Sequence, residues 1–286
     1  MRTYPTADLT TEDLVAHKGA TTVSVCLPAR DEAATVGPIV ALVVDRLVRH
    51  HGLVDEVVVI DDGSTDATAE EAAHAGARVV AAAEILPECG PATGKGEALW
   101  KSLVVCRGDL VVWCDADIVG FDTRFITSLL APLLQDPSVD FVKGGYRRDL
   151  DGRPDEGGRV TELLARPLLA RLFPHLSGFR QPLSGEYGGR RALLERLPFA
   201  AGYGVDLGLL IDVATLIGVG AMAQVDLGRR SHRNRPLREL IVQAEAVLAT
   251  ALDRAGVAQP PGPAPTTRWR PPLVEVPGYR DRTLPS

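Results

Sequence analysis

Val111-Val112-Trp113-Cys114-Asp115-Ala116-Asp117 decides how this chain reads. The apolar run, opened by Gly108 and Asp109, predicts a buried strand. It ends in two carboxylates one residue apart. Side chains at i and i+2 of an extended segment point the same way. Asp115 and Asp117 are therefore placed to converge on one ligand just past the strand end. Paired carboxylates suit a hard divalent cation, which can bridge phosphate oxygens. A polar turn closing a strand has the same short signature, so the surrounding chain must decide between the two.

Working outward, the same pattern of strand and polar cluster occurs twice upstream. Residues 22–27 are β-rich and close at Pro28, followed by Ala29-Arg30-Asp31-Glu32. Residues 33–49 carry Val36, Val40, Val43, Val44 and Leu47 at helical spacing. Residues 56–61 read as a second buried strand, and Asp62-Gly63-Ser64-Thr65-Asp66 as a turn. Thr65 or Asp66 can cap a helix over 67–75. A short strand over 77–82, a loop over 90–96 and a helix over 97–106 lead into the central strand. This alternation predicts βαβ units and a mainly parallel sheet, an α/β fold. In such sheets ligands bind beyond the carboxyl ends of the strands. All three polar clusters fall there.

Downstream the rhythm is less regular. Helices are expected over 123–134, 160–172, 205–217 and 237–252, and strands over 139–143 and 222–227. Residues 149–157 and 181–189 read as loops, and Pro236 suits the first turn of the last helix. Beyond Gly256 the chain is Pro-rich over 259–265 and reads as an extended tail that Trp269 and Tyr279 can anchor.

Composition narrows the function classes. With 45% hydrophobic and 24% charged residues in 286, this is an ordinary globular chain with enough length for a sizeable core. A net charge of -6, with no dominant Lys/Arg stripe, argues against a nucleic-acid partner. The local clusters Arg147-Arg148 and Arg229-Arg230-Ser231-His232-Arg233-Asn234-Arg235 suit a small anionic ligand instead. Cys26, Cys89, Cys106 and Cys114 lack C-x-x-C spacing and read as thiols in a reducing compartment. Residues 1–18 contain no apolar h-region, and Asp212 with several glycines interrupts the apolar stretch 207–225. A cytoplasmic protein with no membrane partner is expected.

Two further segments suit anions. Gly94-Lys95-Gly96 puts one cation on a flexible backbone before a helix, suited to a diphosphate, although the P-loop pattern is absent. Gly157-Gly158-Arg159-Val160-Thr161 opens another helix with free N–H groups, a guanidinium and a hydroxyl. A solvated loop lysine and a plainly capped helix are the alternatives. His232 lies in a basic loop after a strand, where a metal-ligand role is open to it.

The loops 28–32 and 61–66, followed by Asp115-Ala116-Asp117, resemble the nucleotide-binding half of family-2-like GT-A glycosyltransferases. The resemblance narrows further on Val160-Thr161-Glu162-Leu163, Ala165-Arg166-Pro167-Leu168-Leu169, Gln181-Pro182-Leu183-Ser184-Gly185-Glu186-Tyr187, Gly202-Tyr203-Gly204-Val205 and His232-Arg233-Asn234-Arg235-Pro236-Leu237. These are similar to the glucosyl-3-phosphoglycerate synthases, retaining glycosyltransferases of actinobacteria, over residues 23–252. The resemblance implies a GT-A, Rossmann-like, mostly parallel sheet flanked by helices, with a helical acceptor-binding C-terminal half. It divides the chain into an N-terminal arm (1–20), a nucleotide-sugar-binding half (21–145), an acceptor-binding half of the same catalytic domain (146–255) and a Pro-rich tail (256–286).

It implies transfer of glucose from UDP-glucose to the 2-hydroxyl of 3-phosphoglycerate, with Mg²⁺ or Mn²⁺, in a homodimer. Catalytic roles would fall to Asp115, Asp206 and Lys95. Pro28, Ala29, Glu32, Asp62, Lys95, Asp115 and Ala116 would hold the nucleotide and donor, and Leu183, Tyr203 and Asp206 would surround the hexose. Gly158, Arg159, Thr161, Arg230 and Asn234 would bind the acceptor, and Asp117 and His232 the metal. The chain departs from the family pattern at Asp206, where a glutamate is usual, at Asp62, where the mycobacterial pattern has serine, and in its short 148–157 loop. Competing readings are a relative using GDP-mannose or another acid acceptor, a non-catalytic nucleotide-sugar-binding module, and a nucleotidyltransferase releasing pyrophosphate.

Overall fold

In the computed structural model the described residues are 1–4, 10–148, 158–230, 237–257 and 269–280. The polar N-terminal arm carries regular structure. Arg2–Tyr4 is a strand (β1) and Thr11–Lys18 a helix (α1). The Thr10 hydroxyl accepts from the Asp13 N–H while the Asp13 carboxylate accepts from the Thr10 N–H, a reciprocal cap on α1.

The βαβ rhythm follows as expected. β2 (Val23–Ala29) leads to α2 (Ala33–Val43), which continues as a π-helical stretch over Val44–His50. Then come β3 (Glu56–Asp61), α3 (Thr68–His74), β4 (Arg78–Ala81), α4 (Lys95–Val105), β5 (Leu110–Trp113), α5 (Arg124–Gln135) and β6 (Phe141–Arg148). The N-cap position of α3 is Ala67, and Asp66, one residue before it, accepts from the Thr68 N–H at 3.0 Å. A π-helical segment Thr161–Ala165 runs into α6 (Arg166–Leu172). β7 (Tyr187–Arg190), α7 (Arg191–Leu194), β8 (Phe199–Ala200), α8 (Val205–Ile217), β9 (Met222–Arg230), α9 (Leu237–Arg254) and β10 (Trp269–Arg270) complete the described elements. The expected loop 149–157 and the Pro-rich run 259–265 lie outside the described residues.

Eight strands form one sheet in the order β1-β9-β6-β7-β5-β2-β3-β4. Pairing is parallel except at β7, which runs antiparallel to both β5 and β6. Each strand face has its own core. Cys26, Val58, Ile60, Val111 and Trp113 pack with residues of α4, α6 and α8. Val25, Val57, Val59 and Val112 pack with residues of α1, α2 and α5. This is the period-2 split of a sheet covered on both sides. The four cysteines are free thiols, three of them buried. No helix among the described residues is long and apolar enough to cross a membrane.

Two expectations are corrected. The segment 181–189 contains β7, a central strand, rather than only loop. Gly188-Gly189 hides it, since glycine is a poor strand former. A Cβ at Gly188 would lie 2.6 Å from the Val111 carbonyl oxygen, so close backbone approach requires glycine there. The helix expected over 97–106 begins earlier, at Lys95, which puts that lysine in its first turn.

The C-terminal segment returns to the body of the fold. β10 pairs antiparallel with β8. The guanidinium of Arg254 stacks 3.6 Å from the Trp269 ring centre, and the Tyr279 hydroxyl donates to Glu195 at 2.7 Å. The two expected aromatic anchors therefore both make contacts.

Candidate active site

β5, β2 and β3 lie side by side, and their carboxyl ends deliver three polar clusters to one place. Pro28 and Ala29 end β2, Asp62 follows β3, and Asp115 follows β5 by two residues. The first two loops are knitted together. The Asp31 N–H donates to the Ser64 hydroxyl at 3.0 Å, and the Asp31 carboxylate accepts from the Thr65 N–H at 2.7 Å. The Glu32 N–H donates to the Thr68 hydroxyl at 2.7 Å. These bonds fix both loops before any ligand arrives.

They border a cavity of about 490 Å³. Every proposed site residue whose side chain is described lines it. Pro28, Ala29, Glu32 and Asp62 form one group, and Lys95, Asp115, Ala116 and Asp117 a second. Gly158, Arg159 and Thr161 come from the start of the helix leading into α6, Leu183 and Tyr203 from the loops before β7 and α8, and Asp206 from the first turn of α8. His232 and Asn234, and the side chain of Arg230, lie outside the described residues.

The second group is a charge network. Lys95 Nζ is 2.8 Å from Asp115 Oδ1 and 3.2 Å from Asp206. The Tyr187 hydroxyl donates to Asp206 Oδ1 at 3.0 Å. Below them Lys143, on β6 and 1% exposed, donates to the carbonyls of Ser184 at 3.0 Å and Asp206 at 3.4 Å. Its ammonium lies 4.3 Å from the Tyr187 ring centre. Burial works against the Lys95 charge, yet the carboxylates of Asp115 and Asp206 outweigh it and raise the ammonium pKa. Burial pushes Asp206 up even with Lys95 and Lys143 beside it. Burial pulls Lys143 down to about 8, with Asp206 opposing. Asp62, buried and accepting from the Gly94 N–H at 2.8 Å, is pushed up by desolvation. Gly185 makes room for Asp115: a Cβ there would lie 2.2 Å from Asp115 Oδ1.

Lys143 and Tyr187 were not among the expected site residues, nor were Leu240 and Gln243 of α9, which also line the cavity. Lys143 reads only as the last residue of a predicted strand, and Tyr187 falls in a segment that reads as loop. The α9 pair depends on how a distant helix docks, for which the local sequence carries no signal.

The donor chemistry fits a divalent cation. Asp115 and Asp117 bring carboxylate oxygens to the same cavity. Among the described residues no three acidic, His or Cys side chains form a self-contained cage. A small hard cation that shares a diphosphate takes one or two carboxylates and draws its other oxygens from phosphate and water.

Comparison with known proteins places this geometry. The family "Glycosyl transferase family 2" matches residues 24–182. Glucosyl-3-phosphoglycerate synthase of Mycolicibacterium smegmatis is 50% identical over 253 residues, spanning 87% of this chain and 82% of that protein. The Mycobacterium tuberculosis glucosyl-3-phosphoglycerate synthase, in a crystal structure with Mn²⁺, UDP-glucose and phosphoglyceric acid, superposes with a TM-score of 0.83 at 45% identity, over 94% of this chain and 95% of that one. A mannosyl-3-phosphoglycerate synthase from Rubrobacter xylanophilus superposes with a TM-score of 0.89 at 38% identity, over 96% and 97%.

Proposed function

The chain belongs to glycosyl transferase family 2, within its glucosyl-3-phosphoglycerate synthase group, and from that premise we propose that it transfers glucose from UDP-glucose to the 2-hydroxyl of 3-phosphoglycerate with retention at the anomeric carbon. It is a metal-dependent glycosyltransferase. The observation that carries the finer reading is the meeting, in one cavity, of the nucleotide loops, the Lys95–Asp115–Asp206 network and the Gly158-Arg159-Thr161 helix start.

Pro28, Ala29, Glu32 and Asp62 hold the uridine, with carboxylates accepting from ribose hydroxyls and the base imide. Asp117 and His232 hold Mg²⁺ or Mn²⁺, which when bound neutralises the diphosphate. Lys95, pinned between two carboxylates, adds positive charge where the leaving diphosphate gains negative charge. Asp115 and Asp206 accept from hexose hydroxyls, and Ala116, Leu183 and Tyr203 shape the walls around the sugar. The Gly158 and Arg159 backbone, the Arg159 fork and the Thr161 hydroxyl grip the phosphoglycerate, joined by Arg230 and Asn234. Retention follows if the acceptor attacks from the face the diphosphate leaves, with a diphosphate oxygen taking the acceptor proton. The protein acts in the cytoplasm as a homodimer.

A second reading, mannosyl transfer from GDP-mannose, is supported by the likeness to the Rubrobacter enzyme. Asp206, one methylene shorter than glutamate, is the residue at which the two hexoses would be told apart. Initial rates of nucleotide diphosphate release with 3-phosphoglycerate and either donor separate the readings. The proposal expects UDP from UDP-glucose. GDP release alone would transfer the assignment to mannose.

A further inference from the structure

The C-terminal segment is bolted to the helix that carries Lys95. Arg270, 4% exposed, meets fully buried Glu97 through two bonds, Nε to Oε2 at 2.6 Å and Nη2 to Oε1 at 2.8 Å. The same guanidinium donates to the carbonyls of Cys89 at 2.5 Å and Gly90 at 2.8 Å. Arg270 thus grips α4 two residues after Lys95 and also the loop that leads into Lys95. Trp100 of α4 donates its indole N–H to the Pro271 carbonyl at 2.8 Å.

A second tie runs through a separate two-stranded sheet. β10 pairs with β8, with Arg270 opposite Phe199 and Trp269 opposite Ala200. β8 leads directly to Gly202 and Tyr203 on the cavity wall. The Glu97 N–H donates to the Ala201 carbonyl at 3.0 Å. Three supports of the site therefore meet at one residue: the loop into α4, the first turn of α4, and the strand before Tyr203. A buried, bidentate arginine is a rigid fastener because its planar fork fixes both partners' orientation.

We propose that Arg270 is a positioning residue for the transfer reaction: by clamping Glu97 and the 89–90 carbonyls it holds Lys95 at its distance from Asp115 and Asp206. The inference rests on the function assigned above. Arg270 bonds to neither nucleotide loop, 28–32 or 61–66; the clamped segment touches the second of them through the Gly94 N–H, which donates to Asp62 at 2.8 Å. Misplacement of a catalytic group by about 1 Å costs up to roughly a hundred-fold in rate.

The test compares wild type, Arg270→Lys and the double variant Glu97→Gln/Arg270→Met, which strands no buried carboxylate opposite an apolar side chain, while Lys101, the other ion-pair partner of Glu97 at 3.2 Å, keeps its bond to the Ala82 carbonyl. Three quantities are read below all melting transitions: kcat with UDP-glucose and 3-phosphoglycerate, Kd for UDP, and hydrogen exchange of the amides over 94–98. The clamp predicts kcat lowered roughly ten- to a hundred-fold in the double variant, a clearly smaller loss of UDP affinity, and faster exchange over 94–98. Arg270→Lys retains the charge on Glu97 and falls between. Wild-type kcat with unchanged exchange would overturn the proposal, as would equal losses of UDP affinity and kcat. If wild type itself makes no glucosyl product, the assigned function fails, and the exchange measurement alone then decides whether Arg270 clamps the start of α4.

Discussion

The ammonium of Lys95 stands 2.8 Å from a carboxylate oxygen of Asp115. The pairing joins the first turn of a helix to the end of the central strand, and Asp206 completes it from a third element at 3.2 Å. Removing the ammonium leaves two carboxylates facing one another across a buried site. Lys95→Met is expected to lower kcat by about 10² to 10³, the range for loss of one preorganised electrostatic group. Steady-state kinetics with UDP-glucose checks this, and a kcat within about three-fold of wild type would remove Lys95 from the catalytic set.

Tyr187 donates to Asp206 from a fully buried position. Tyr187→Phe deletes the donor and leaves its place dry. Stability is expected to fall by about 1 to 3 kcal/mol, the range for loss of one buried hydrogen bond to a carboxylate that Lys95 still contacts. Urea midpoints report that loss, and kcat falls with it because Asp206 loses one of its two fixings. An unchanged midpoint together with unchanged kcat would contradict the role given to this hydrogen bond.

Lys143 carries a pH signature. Its folded-state pKa, lowered by burial to about 8, lies below the unfolded lysine value of 10.5. The buried ammonium is a cost that is fully present below pH 8. Between pH 8 and 10.5 the unfolded chain binds the proton and the folded chain does not, so stability rises with pH across that window. The shift corresponds to roughly 3 kcal/mol. Urea midpoints of wild type and Lys143→Met between pH 7.5 and about 10.5 should differ by this rising component, which the variant lacks. Parallel curves would mean that Lys143 titrates as an ordinary surface lysine.

The carboxylate assigned to the metal is the next test. Asp117→Ala is expected to abolish metal-dependent turnover and to remove the tightening of UDP binding by Mn²⁺. Calorimetric titration of UDP with and without Mn²⁺ reads this directly. Full activity in the variant would sink the assignment of Asp117.

What was legible in the sequence follows from which interactions are local. The clusters at Pro28, Asp62 and Asp115 could be read because a strand ending in acids and small residues is written in consecutive letters. β7 was hidden because Gly188 and Gly189 serve close packing against β5, at the expense of strand propensity. β1 and α1 fall in the stretch expected only as an N-terminal arm, because Arg2–Tyr4 is short and polar and its pairing partner β9 lies some 220 residues away. Lys143 read as one polar letter in a strand, and only the fold shows it beneath Asp206. The Arg270–Glu97 pair spans 173 positions, a separation at which no local pattern survives.

The central claim is the product itself. Purified protein should be incubated with Mg²⁺, UDP-glucose and 3-phosphoglycerate, and the product identified by mass and by NMR of its anomeric proton and linkage. The account predicts a glucosyl adduct of phosphoglycerate in the α configuration, joined at the 2-hydroxyl. A β-linked product would contradict retention, and UDP release with no phosphoglycerate adduct would contradict the acceptor.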